Sequence, residues 1–355
     1  MRLGKLRSIE TWIPIIALAF AMITSALIML IAGFNPIEAF QAIFTGAFGS
    51  IRGISVTLTQ ATPIILTGLA YSLAKKANII NLGIEGQLYM GALAAAIVGG
   101  LKIDLPAVLH VSLAVFAGIV AGGLTGAFAG FLKVSFGANE VISTIMLNTI
   151  IVLFVGYLVS GPMMETAGIV PQTDKIAESA VLPRIFSHYQ LSIGILFAAI
   201  ACIISQILLN NTVLGYEITC VGNSRAASET AGIRVGGVLL LTMFISGAIG
   251  GLAGSIQVLG VSKRLIAGFS PGYGFTGIAV AALASSNPIG VIFSGIIFGA
   301  LSCGTATLNL KTSIPTDFVD VIQSMVVIFV AAPMLIRSIL QMDRKGGKKS
   351  NASHL

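Results

Sequence analysis

One stretch of the chain places polar groups inside an apolar run. From Ala77 to Val98 the sequence reads ANIINLGIEGQLYMGALAAAIV, with the carboxylate of Glu85 between the amides of Asn81 and Gln87. A charged group at membrane depth costs at least about 3 kcal/mol, so it usually faces a bundle interior or a water-filled path. The carboxylate could carry a proton, and the amides could hydrogen-bond a neutral polar solute. This stretch is therefore the first candidate for chemistry.

Glycines beside these polar groups predict an interrupted helix. Gly83 and Gly86 flank Glu85, and a broken or re-entrant helix is tolerated in a membrane only where protein or a cavity satisfies the freed backbone groups. A second segment, FSPGYGFTGIAVAALA at 269–284, also places glycines and an aromatic before a run of small residues. Paired segments of this kind predict a pathway between pseudo-symmetric halves of the chain.

The composition predicts an all-α, polytopic transmembrane helix bundle. Hydrophobic residues make up 56% of the chain and charged residues only 9%, whereas charged residues make up about a quarter of a typical soluble protein. Apolar runs of roughly 20 residues match a hydrocarbon core about 30 Å thick. They predict about ten helices, near 12–34, 54–74, 78–100, 106–132, 141–161, 191–210, 237–260, 276–287, 289–309 and 319–340. We expect the eighth to be a half-helix, and the first run to remain as a helix because it lacks the cleavage site of a signal peptide.

The net charge of +7 indicates topology rather than nucleic-acid binding, because the basic residues lie at helix ends and termini. We expect a single transmembrane domain over 1–355 in the cell membrane, with both termini cytoplasmic, an external loop at 162–190, a cytoplasmic loop at 211–236 and a basic tail at 338–355 that meets lipid headgroups. Lys263 and Arg264 fit poorly among the external residues. The basic residues expected inside, 13 of 20, are Arg2, Lys5, Arg7, Lys75, Lys76, Lys133, Arg225, Arg234, Arg337, Arg344, Lys345, Lys348 and Lys349.

Several kinds of site are not predicted. The three cysteines are odd in number, the three histidines are scattered, and no disulfide framework, metal site or catalytic constellation results. The chain has no G-x-x-x-x-G-K-[ST] phosphate loop, so we expect no ATP hydrolysis by this chain and no cofactor. The run from Gly272 to Gly277 satisfies G-x-G-x-x-G, but it opens a membrane segment, and we interpret it as the start of a broken helix.

A short helix is predicted in the 211–236 loop. Asn223 or Ser224 is a suitable N-cap and Gly232 a suitable stop. Three alanines, Ala226, Ala227 and Ala231, would share a small, smooth face of the kind that docks in a groove of a partner protein. On the residues alone, a solvated helical connector is the favoured alternative.

Glycines also recur at a spacing of four. One run consists of Gly118, Gly122, Gly126 and Gly130. Three pairs have the same spacing: Gly247 and Gly251, Gly250 and Gly254, and Gly295 and Gly299. Small residues four apart let helix backbones approach closely. We expect them to pack helices inside the bundle, with a dimer contact as the alternative.

The segment at 62–96, TPIILTGLAYSLAKKANIINLGIEGQLYMGALAAA, resembles permease subunits of ABC importers. The branch is that of ribose, simple-sugar and branched-chain amino acid permeases, and the resemblance is strongest to nucleoside importers that work with basic membrane lipoproteins. It spans nearly the whole chain. The matching elements are Asn81-Leu-Gly-Ile-Glu85-Gly-Gln87, Gly137-Ala-Asn139-Glu140-Val-Ile with Met146-Leu147-Asn148, and Val221-Gly222-Asn223 followed by Ala226-Ala227 and Ala231-Gly232-Ile233.

This resemblance implies a permease subunit that forms the translocation path for nucleosides and is not itself an enzyme. It implies separate ATPase subunits, a second and non-identical permease subunit, and an extracellular substrate-binding lipoprotein. It also implies that the helix in the 211–236 loop couples the permease to the ATPase. The residues expected to do so are Gly222, Asn223, Ala226, Ala227 and Gly232.

The expected path residues are polar groups at membrane depth: Asn81, Glu85, Gln87, Asn148 and Gln257. For Glu85 we favour a structural role over solute binding, because buried charges are usually satisfied locally. The amides of Asn81 and Gln87 suit the edge of a nucleoside better. Two alternatives stay open: a permease for a simple sugar, and a secondary transporter or channel in which Glu85 carries a proton or lines a pore.

Overall fold

The structure, a computed structural model, describes residues 2–103, 105–166, 168–186, 188–312 and 314–329. Within these ranges the protein is helical, with two isolated β-bridges and no longer strand, which confirms the all-α class. The predicted basic tail at 338–355 lies outside the described residues. The helices are α1 (Arg2–Ile31), α2 (Pro36–Phe48), α3 (Ile51–Lys76), α4 (Ile84–Gly100), α5 (Ala107–Phe136), α6 (Glu140–Ser160), α7 (Gly194–Asn211), α8 (Val213–Asn223), α9 (Arg225–Thr230), α10 (Val235–Ile256), α11 (Tyr273–Leu283) and α12 (Pro288–Thr312).

Six helical segments in the described part of the chain are long and apolar enough to cross a membrane. Two shorter apolar helices, Leu18–Ile31 and Tyr273–Leu283, accompany them. The chain is thus a multi-pass membrane protein. The predicted tenth helix is described as far as residue 329, and residues 317–329 of it are helical. The six segments are Ile51–Lys76, Ala107–Phe136, Glu140–Ser160, Gly194–Asn211, Val235–Ser262 and Pro288–Thr305.

The chain divides into two compact units. The larger covers 44–304. The smaller contains the described parts of 1–43 and 305–355, where α1 and the turn that follows it each form one aromatic pair with the helix at 317–329. The rings of Phe34 and Phe318 meet edge to face with centroids 5.1 Å apart, and those of Phe20 and Phe329 stack at 5.9 Å.

The predicted boundaries are wrong at the broken helices. The expected helix at 78–100 begins only at Ile84, because the chain leaves the helix after Lys76 and runs irregularly to Gly83. Asn78 takes a left-handed conformation at φ +54° in this loop. The eighth predicted helix is short, as expected, but starts three residues earlier, at Tyr273. The helices α2 and α8 are additional to the prediction.

Glycines pack α4, α5 and α10 together at backbone distance, which confirms the expected packing role. A Cβ added to Gly122 of α5 would lie 2.6 Å from the Cα of Gly251 on α10. A Cβ on Gly91 of α4 would overlap the same glycine. Close backbone approach compensates for the weak hydrophobic drive between helices in lipid.

We expect Gly122→Leu to prevent stable folding. Overpacking of a filled interior costs roughly 1–3 kcal/mol or more, and here the obstacle is backbone that cannot move aside. The measurement is the fraction of detergent-solubilised protein that stays monodisperse on heating. Gly156→Leu is the control, because a Cβ at Gly156 meets nothing within 4 Å. Equal stability of both variants would contradict the packing role.

The helices form two trios, α3–α5 and α10–α12, and the first helix of each trio packs on the last two helices of the other. Helix α3 packs on α11 and α12: a Cβ on Gly277 would lie 2.7 Å from Gly68 N, and one on Gly299 would lie 2.8 Å from Ala61 N. Helix α10 correspondingly packs on α4 and α5, and a Cβ on Gly254 would lie 2.7 Å from Ala92 N. This reciprocity is the pattern expected of two repeats.

The long 162–190 segment lies at one end of the larger unit. There it pairs with the chain that follows α10, since Thr173 N donates to Leu265 O at 2.8 Å and Arg264 forms a 2.9 Å ion pair with Glu165. The poorly fitting Lys263 and Arg264 thus lie at the same end as the 162–190 segment. The 211–236 segment lies at the opposite end, against the C-terminus of α3, where Ala77, Val221 and Val235 share one apolar cluster.

Candidate functional site

The amides of Asn81 and Gln87 bind each other. Asn81 Nδ2 donates to Gln87 Oε1 at 3.1 Å, and Gln87 Nε2 donates to Asn81 Oδ1 at 3.3 Å. Asn81 Nδ2 also donates to Ser246 Oγ at 2.9 Å, and this hydroxyl donates to Ala70 O at 2.8 Å. The side chains of Asn81 and Gln87 are 0% and 1% exposed. These amides therefore join α3, α4 and α10.

Asn148 of α6 satisfies the backbone at the start of α4. Its Nδ2 donates to Leu82 O, and its Oδ1 accepts from Gly86 N at 2.6 Å. The nearby Thr144 Oγ1 accepts from Leu82 N at 3.3 Å. Each unsatisfied backbone group would cost several kcal/mol at membrane depth, so α6 makes the break before α4 tolerable.

The carboxylate of Glu85 lies at the N-terminus of α11. Its Oε2 accepts from Gly274 N at 2.5 Å, and the side chain is only 6% exposed. A Cβ on Gly274 would lie 2.6 Å from Glu85 N, so the two backbones are in contact. The free N–H groups and dipole of a helix N-terminus favour a carboxylate. The two glycine-rich segments singled out in the sequence therefore meet at this hydrogen bond.

The chain before α11 is held by residues that the sequence interpretation missed. Ser270 Oγ accepts from Tyr273 N at 3.1 Å, and Tyr89 OH accepts from Ser270 N at 3.4 Å. The Tyr89 ring packs against Phe269 with centroids 4.7 Å apart. Tyr273 OH donates to Gln60 Oε1 at 2.9 Å. The amide of Gln60 inside an apolar helix was the signal that could have identified this cluster.

Gln257 differs from the other predicted path residues. It is the first residue of a π-helical turn, Gln257–Ser262, that extends α10. Its side chain is half-buried and forms no hydrogen bond with any residue that the structure describes. Single π-helical turns occur frequently at functional sites.

Asn139 and Glu140 lie at the entry of α6. Asn139 Oδ1 caps the helix by accepting from Val141 N at 2.9 Å. Glu140 pairs with Lys133 at the end of α5, with 2.5 Å between Nζ and Oε2. Both residues thus fix the α5–α6 connection at the end where the 211–236 segment lies.

The predicted helix in the 211–236 segment is confirmed as α9. Ser224 is its N-cap and accepts from Ala227 N at 3.3 Å. The helix stops before Gly232, which takes a left-handed φ of +82°. Ser228 faces the protein at 3% exposure, while the alanine face is exposed. The exposed alanines are Ala226, Ala227 and Ala231.

Gly222 connects this segment to the break between α3 and α4. It is followed in the chain by the exposed Asn223 and lies against the C-terminus of α3, where an added Cβ would overlap the carbonyl oxygen of Lys76. Asn81 follows Lys76 by five residues, and its amide joins α3, α4 and α10. The exposed helix and the buried amide pair are therefore linked through one short stretch of backbone.

The family of branched-chain amino acid transport system permease components matches residues 53–331, which contain every site residue above. The chain belongs to this family of permeases. The permease is 35% identical to the guanosine ABC transporter permease protein NupP of Bacillus subtilis, over 94% of this chain and 97% of that protein.

Two further relatives of the permease are informative. It is 33% identical to the nucleoside ABC transporter permease protein NupB of Lactococcus lactis, over 92% of each chain. It is 29% identical to the glucose ABC transporter permease protein TsgB13 of Haloferax volcanii, over 98% of this chain and 95% of that one. No solved structure gives a significant match to the permease.

Proposed function

We propose that this permease forms the translocation path for nucleosides in an ABC importer. The observation that carries the proposal is its similarity, over more than nine-tenths of its length, to two permeases named for guanosine and nucleosides. A simple sugar is the second candidate, because a relative of similar coverage is named for glucose. Its lower identity places it second.

The proposed importer contains separate subunits for energy and for substrate capture. ATPase subunits bind the alanine face of α9 in the cytoplasm, and a lipoprotein delivers the solute at the 162–190 end. A second, non-identical permease subunit completes the path. The excess of basic residues at the α9 end supports a cytoplasmic position for that end, and the basic residues near the two termini support the same side for them.

The buried polar residues hold the path in shape. Asn81, Gln87 and Asn148 support the break before α4, and Glu85 fastens the start of α4 to the start of α11. ATP binding favours one packing of the helices over another, which shifts the population between outward-open and inward-open states. Because Gly222 touches the end of α3, displacement of α9 reaches the break directly.

We expect the purified chain alone to show no ATP hydrolysis, and nucleoside uptake to require the co-expressed partners. The measurement is uptake of labelled guanosine, uridine and glucose by cells that lack their own carriers for them. An importer whose ATPase subunit carries an inactive phosphate loop is the control. Glucose uptake alone would select the sugar permease. Uptake that follows a proton gradient and survives ATP depletion would overturn the proposal in favour of a secondary transporter.

A further inference from the structure

The polar groups of the Asn81–Gln87 element are already occupied. Each of its two amides binds the other, and the Glu85 carboxylate binds the backbone of α11. Their side chains are at most 6% exposed. A neutral polar solute that crosses a membrane needs hydrogen-bonding partners along its path. Amides that are partly exposed and have an unpaired donor or acceptor can serve as such partners.

Gln257 meets this requirement. Its side chain is half-buried and unpaired within the described part of the chain. It follows Ser246 by eleven residues, which is three full turns of α10, so the two lie on the same side of the helix. That side contacts α3, because Ser246 Oγ donates to Ala70 O. Gln257 is therefore on the α3 side of α10, about 16 Å beyond Ser246.

Gln60 of α3 lies at the same depth. Helices α3 and α10 are antiparallel, since the residue after α3, Ala77, and the first residue of α10, Val235, share one cluster. Gln60 precedes Ala70 by ten residues, or about 15 Å, in the direction in which α10 leads to Gln257. The two amides thus belong to one layer of the bundle, beyond the Glu85 level.

The amide of Gln60 is only half used. Its Oε1 accepts from Tyr273 OH at 2.9 Å, while its Nε2 makes no hydrogen bond within the ranges that the structure describes. The side chain is half-buried, so it keeps some exposure. Tyr273 fixes the orientation of the amide and leaves its donors available.

We infer that Gln60 and Gln257 form the layer that recognises the solute in transit, and that this solute is a nucleoside whose base accepts a hydrogen bond from Gln60 and pairs with the donor and the acceptor of Gln257. The inference rests on the proposed function. Gln257 offers a donor and an acceptor and Gln60 offers its free donor, which matches the hydrogen-bonding edge of a nucleobase. The half-buried ring of Phe269, packed on Tyr89, adds an apolar face against which a base can stack.

The test compares Gln60→Leu and Gln257→Leu in the complete importer. Initial rates are measured for guanosine, adenosine and uridine with the lipoprotein saturated, so that its affinity does not enter, and are divided by the amount of assembled importer. Loss of one hydrogen bond to the solute lowers the rate roughly tenfold. Because bases differ in their edges, we expect each variant also to change the guanosine-to-uridine ratio by at least about threefold.

Gln206→Leu is the matched control, since Gln206 is a half-buried amide near the end of α7. It should leave rates and ratio unchanged. If a leucine variant does not assemble, the guanosine-to-uridine ratio is measured on Gln257→Asn instead, whose side chain is shorter by one methylene. An unchanged ratio in variants that assemble would overturn the inference while the proposed function stands. Absence of nucleoside uptake by the unmodified importer would overturn both.

Discussion

Replacing Ala227 with glutamate abolishes ATP-dependent uptake while the amount of membrane-inserted permease stays near that of the unmodified chain. Ala227 is exposed on the alanine face of α9, so the new side chain disturbs no internal packing. Its backbone N–H keeps the cap formed by Ser224, and an acidic residue in the first turn suits a helix. A long charged side chain would, however, block a groove that accepts only small residues.

The measurement is uptake by right-side-out vesicles loaded with ATP, together with the amount of ATPase subunit that co-purifies. Asn211→Glu is the control, because Asn211 is exposed at the start of the same segment but precedes α8 and α9. It should retain both uptake and ATPase. Normal uptake by the Ala227 variant would remove α9 from the coupling mechanism.

Replacing Glu85 with alanine lowers uptake at least roughly tenfold, whereas Glu85→Gln retains most of it. The alanine variant leaves Gly274 N buried without its acceptor, which costs about 1–3 kcal/mol. A glutamine side chain still offers a carbonyl oxygen to the same N–H group and differs mainly in charge. We therefore expect the contact between α4 and α11 to depend on an acceptor at this position rather than on a titrating proton.

The two Glu85 variants separate three roles. Uptake rates and the thermal stability of the purified complex are compared for both. If the glutamine variant loses uptake as completely as the alanine variant but keeps its stability, the charge itself is required and the structural role is wrong. Equal activity of all three proteins would show that the α4–α11 contact does not limit transport.

The apolar runs of the sequence were sufficient to predict where most of the long helices lie. They misplaced the start of α4: Gly83 and the amides indicated an interrupted helix, but its position depends on polar contacts with distant residues. Asn148 follows Gly86 by 62 positions, and no local pattern indicates that one supplies the other's hydrogen bond. The α9 helix was predictable because its cap and its stop are local.

The charge pattern was predictable only in part. Lys263 and Arg264 looked misplaced because the sequence does not show that the chain after α10 pairs with the 162–190 segment. Likewise, Asn81 and Gln87 are six residues apart and would not meet on one regular helix. Only the irregular backbone between Lys76 and Ile84 brings their amides together.

The exchange of first helices between the two trios has a consequence for biosynthesis. Helix α3 packs on α10 and also on α11 and α12, which come more than 190 residues later in the chain. The first trio therefore leaves the ribosome with its glycine faces uncovered and stays incomplete until the last helices of the larger unit have been inserted. Such long-range contacts make folding slow and expose intermediates to misassembly. Fully matured permease is thus formed only after translation of nearly the entire chain.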